Sequence, residues 1–135
     1  MATIEMRDVS PGGHLLSQAT VECLPDRAAL RDILANRVDA EVAAYNADPG
    51  LHYRGLVQPE DAIRYSDGFR MRTPGPLDAQ HLYRAVEEAV DAGVVVFHIG
   101  EVTVSNLDHE VEVDDEHLIT TVLRRPIVAR TPRPT

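Results

Sequence analysis

Lysine is absent from this chain of 135 residues, and every one of its 13 basic residues is arginine. That excludes Schiff-base chemistry on a lysine amine, a Walker-type phosphate loop and any lysine acceptor for attachment to the chain. Cysteine occurs once, at Cys23, so no disulfide closes within the chain. Positive charge is scarce: 13 arginines against 22 acidic residues leave a net −9, which argues against nucleic acid as a partner, since such binders concentrate positive charge. No apolar run is long enough to span a bilayer, so no membrane association is expected. The start, MATIEMRDV, has neither a basic leader nor an apolar stretch of signal-peptide length, and the expectation is a soluble, cytoplasmic protein. Glycine does not occur after Gly100.

What is present reads as one domain that buries roughly two-thirds of its unfolded surface. TIEMRDV and LLSQATVECL flank the turn SPGGH and predict a hairpin, with Ala19, Val21 and Cys23 on its buried face and Gln18, Thr20 and Glu22 on the wet one. Leu30, Ile33, Leu34, Val38, Val42 and Tyr45 recur at helical spacing and predict a helix over 26–46, capped by Asp26 and stopped by Asp48-Pro49-Gly50. In AIRYSDGFRMR, a three-residue loop at 66–68 would pair Tyr65 with Phe69 and Ile63 with Met71. Arg64, Arg70 and Arg72 then share the opposite face. Asp78 predicts the start of a second helix that carries Leu82, Ala85, Val86, Ala89 and Val90 inward and ends before Gly93. VVVFHI, with little alternation, predicts a central strand covered on both faces. EVTVSNL and LITTVLRR complete the strands, separated by an acidic loop over 108–117.

The order hairpin, helix, insert, strand, strand, loop, strand resembles the ubiquitin-like β-grasp family, on TIEMRDVSPGGHLLSQATVECLPDRAALRDIL at one end and VVFHIGEVTVSNLDHEVEVDDEHLITTVLRR at the other. The resemblance implies an α+β fold in which a mixed sheet packs on one long helix. An insertion at about 47–93 contributes a hairpin and the second helix, and a basic tail runs over about 126–135. YRGLVQPEDA also resembles a tract of bacterial proteins, some of which end in Gly-Gly. Modifiers and sulfur carriers of the family are activated on a C-terminal glycine, whereas this chain carries Arg130, Pro132, Arg133 and Pro134 there. Conjugation is therefore not expected of it.

Cys23 reads as a small buried hydrophobe, and the six histidines lack metal-motif spacing, so neither a metal nor another cofactor is expected. DHEVEVDDEH lacks the spacing of a calcium loop and reads as a solvated connection. Arg64, Arg70 and Arg72 read as charges guarding an exposed strand, or as a surface for an acidic partner, and Arg124 and Arg125 open a basic C-terminal cluster. The resemblance implies a partner-binding patch where Val95, Phe97 and Val122 share the outer sheet face, unless Ile63, Tyr65, Phe69 and Met71 cover it. The first expectation is a non-catalytic protein-interaction module that binds another protein, with a homodimer left open by its edge strands. The alternatives are a degenerate modifier or carrier working with an activating enzyme, and a small enzyme with a site around His52, Tyr53, Arg54, Gln58 and Glu60.

Overall fold

Ile4, Met6 and Asp8 alternate with Thr3, Glu5 and Arg7 along β1 (Ala2–Val9), and the first three are buried. A computed structural model describes residues 2–65, 68–113 and 118–130; the side chain of Cys23 and the stretch 114–117 of the acidic loop lie outside the described residues, as does 131–135 of the tail. β1 pairs antiparallel with β2 (Leu15–Leu24), where Ala19 and Val21 turn inward while Gln18, Thr20 and Glu22 are exposed. On its other side β1 pairs in parallel with β10 (Leu118–Leu123). β10 pairs antiparallel with β7 (Val95–Ile99), and β7 pairs antiparallel with β8 (Val102–Val104). The result is a mixed sheet in the order β2-β1-β10-β7-β8.

The helix of the first half is α1 (Leu30–Asn46), and all six expected core positions on it are buried. Its start differs from the sequence expectation. Asp26 does not cap it, because Arg27–Ala29 form β3, paired antiparallel with β9 (Glu110–Glu112). The first-turn amides of Leu30 and Arg31 donate instead to the carbonyls of His109 and Leu107, each at 2.8 Å. The acidic connection thus contains a strand, and the residues just before that strand cap the helix, tied by Arg27 Nε donating to Glu112 at 2.8 Å and Arg31 to Asp108 at 3.0 Å. The second helix, α2 (Ala79–Asp91), begins as expected, with Asp78 accepting from the amide of Gln80 at 3.0 Å and Gly93 in the left-handed region just past its end.

The insertion forms a second small sheet, with β4 (His52–Tyr53), β6 (Gly68–Arg70) and β5 (Ile63–Tyr65) side by side in that order. Its hairpin register is one residue off the expected one: Tyr65 pairs with Gly68, Arg64 with Phe69 and Ile63 with Arg70. A slip of one residue exchanges the faces. Phe69 is buried with Arg64 stacked 4.8 Å above its ring, whereas Ile63 and Arg70 point to solvent. Arg64, Arg70 and Arg72 therefore do not form one arginine face. Tyr53 packs edge-on to Tyr45 of α1 at 5.5 Å and stacks on Phe69 at 6.4 Å, which places the insertion against the helix layer.

Leu123, Thr121 and Ile119 face Val95, Phe97 and Ile99 in register, and all six are buried in the core. Val95 and Phe97, expected on the outer face, are fully enclosed. β7 is also not covered on both sides, since Val96 is half-buried and His98 exposed. The tail differs too: Ile127 and Ala129 are buried, and the chain at 127–129 runs in parallel beside Gln58, with bonds of 2.7 and 2.9 Å.

Candidate functional site

Asp8 is the one acidic residue on the inner face of β1, and its carboxylate is wholly buried. It survives there because Arg37, equally buried on α1, clamps it with two parallel bonds, Nη1 to Oδ1 at 2.7 Å and Nη2 to Oδ2 at 2.6 Å. Ser17 Oγ of β2 donates to the same carboxylate. One turn along α1, Glu41 accepts from Arg37 Nε at 3.3 Å and from the amide of Leu56 at 3.2 Å. Burial works to lower the pKa of Arg37, but the bonds and charge of Asp8, then Glu41, outweigh it and hold the guanidinium above its ordinary value. Burial pushes Glu41 up, with the Asp8 charge adding to it, against the pull of Arg37 and the Leu56 N–H. Burial and then the charge of Glu41 also raise the Tyr53 phenol.

Glu41 is exposed at one side, where it lines a cavity of about 320 Å³ together with Leu15, Leu16, Ser17, Gln18, Arg54, Gly55 and Gly68. Gly68 must be glycine: its φ is +145°, and a Cβ would lie 2.7 Å from the carbonyl oxygen of Tyr53. His52, Tyr53 and Arg54 line a neighbouring cavity with Gly68 and Phe69, so three of the five residues expected around an insertion site come together. The other two do not join them. Gln58 donates to the carbonyl of Ala62 at 2.7 Å, and Glu60 lines a separate cleft beside Pro76 and His81.

The second candidate is the outer face of the large sheet. Val9, Val122 and Val96 stand in register across β1, β10 and β7, all half-buried, and Leu15 of β2, 57% exposed, partners Val9. Arg7, Thr120 and His98 form the next row, and Arg124 follows beyond Val122. Of the residues expected to bind a partner, Val122 and Arg124 meet here. Arg125 lines a cleft of about 430 Å³ beside the end of α2, along with Val94 and Ile127.

Sequence reading missed Asp8, Arg37 and Glu41. The signal was there: Arg37 sits on the stripe of Ile33, Leu34 and Val38, and Asp8 continues the parity of Ile4 and Met6. Among the described residues no helix is long and apolar enough to cross a membrane, and no group of three His, Cys, Asp or Glu residues could hold a metal ion. Comparison with protein-family models, with curated proteins and with solved structures finds no match to this chain.

Proposed function

We propose that the chain is a protein-interaction module with a β-grasp core that receives a segment of another protein on the outer face of its large sheet. Support for the β-grasp assignment comes from the strand order β2-β1-β10-β7-β8, the parallel pair β1-β10 and a helix that follows the first hairpin after the short β3. The observation that carries the functional reading is the half-buried apolar row Val9–Val122–Val96, continued at the β2 edge by the exposed Leu15, on the face opposite to the buried inward residues of β1, β10 and β7. Arg124 and Arg7, the latter paired with Glu5 at 3.3 Å, flank that row, so the occupant that fits is a polypeptide segment with an apolar side chain and a carboxylate for Arg124. The modifier or carrier alternative requires a free C-terminal arm, and the chain as far as Ala129 is held against Gln58.

The test is a photo-crosslinking amino acid placed at Val96, at Val122 and, as a control, at the exposed Asn36 of α1. Positions 96 and 122 should capture one defined protein, and the Arg124→Glu variant should lose it. Adducts common to all three positions, or none at 96 and 122, would contradict the reading.

A further inference from the structure

The buried group beneath the cavity at the start of β2 holds two carboxylates, Asp8 and Glu41, against one guanidinium, Arg37. Asp8 takes both terminal nitrogens of Arg37 at 2.6–2.7 Å, whereas both bonds to Glu41 exceed 3.1 Å. The charge of Arg37 is spent on Asp8, and Glu41 is the carboxylate in excess. A carboxylate held out of water needs a proton or a cation beside it. Its open side faces the cavity, and among the described residues of the lining Arg54 carries the only other formal charge. Leu15 and Leu16 supply an apolar wall, and the absence of side chains at Gly55 and Gly68 leaves the opposite wall to backbone. At about 320 Å³ the space lies at the small end of ligand cavities and has room for a molecule of amino-acid size.

We infer that this cavity binds a free apolar amino acid, with its ammonium group on Glu41, its carboxylate on Arg54 and its side chain against Leu15 and Leu16. A guanidinium carries five N–H donors, so Arg54 serves a ligand carboxylate alongside another partner. The direction in which burial shifts Glu41 agrees, because an incoming ammonium supplies the positive charge that the site lacks. The cavity shares Leu15 with the edge of the outer row, but Glu41 and Arg54 belong to the cavity alone, so their variants test it independently of the partner surface.

The experiment is an amide NMR titration of the full chain at neutral pH with each common L-amino acid at millimolar concentration. The best binder is then compared with its analogue lacking the ammonium and its analogue lacking the carboxylate; for leucine these are 4-methylpentanoate and 3-methylbutylamine. At least one apolar amino acid should shift the amides of Leu16, Ser17 and Gly55, and both analogues should bind at least about thirtyfold more weakly, the loss expected when one partner of a desolvated charge pair is removed. Glu41→Gln and Arg54→Gln, shown by circular dichroism to be folded, should lose binding to a similar extent. The inference is overturned if no amino acid moves those amides, if the deaminated analogue binds as well as its parent, or if Glu41→Gln binds unchanged.

Discussion

Arg37 and Asp8 are each enclosed by the protein, and neither can be removed alone without stranding the other. Arg37→Met leaves a buried carboxylate with only the Ser17 hydroxyl, and a cost of about 3–5 kcal/mol is expected. Urea unfolding of the variant measures it, and a loss near zero would show that water reaches Asp8. Glu41 behaves differently because it holds its proton more tightly in the folded chain than in the unfolded one. Between its two pKa values the folded state binds more protons, so its contribution to stability grows as pH falls and shrinks as pH rises. The wild-type chain should therefore gain stability relative to Glu41→Gln as pH falls from neutral toward the ordinary glutamate value. The gain is complete below that value. Urea midpoints of the two proteins across that range check it, and a gap independent of pH would contradict it.

At the scale of elements, β7 and β10 decide which face of the sheet is which. Phe97 is buried opposite Thr121, and Phe97→Ala is expected to cost about 3–5 kcal/mol. Val96→Thr, on the other face of the same strand, should stay within about 1 kcal/mol. Equal losses from both, read by thermal or urea unfolding, would contradict this assignment of faces. Strands β1, β2, β5, β6, β7, β8 and β10, both helices and the cap at Asp78 are legible because each rests on local periodicity or on one side chain, whereas the short β3, β4 and β9 are not. What was not legible rests on distant contacts. VVVF carries no polar residue to mark a face, and only His98 betrays that the even-numbered positions are the wet ones. The start of α1 is set by carbonyls of Leu107 and His109, far along the chain. The hairpin register is hidden because not every arginine faces water: the guanidinium of Arg64 covers the Phe69 ring. Arg37 is hidden for the same reason, as a charged residue on the otherwise apolar inner stripe of α1.

For the molecule as a whole, α1 and α2 pack against the large sheet, the inserted sheet packs against α1, and the C-terminal segment pairs with Gln58. Ile127→Ala should lower stability by about 2–5 kcal/mol, as a core position does and a loose tail does not; urea unfolding distinguishes the two. This division into one sealed face and one open face underlies both the partner surface and the cavity at its edge. The most direct test compares thiol reactivity of Thr120→Cys and Thr121→Cys, each in a Cys23→Ser chain. These neighbours on β10 undergo the same substitution and point to opposite faces, Thr121 wholly buried and Thr120 partly exposed. The account predicts that the thiol at 120 reacts in the native state while the one at 121 is protected by about a hundredfold or more, opening only with the core. Equal rates, or protection at 120 instead, would contradict it.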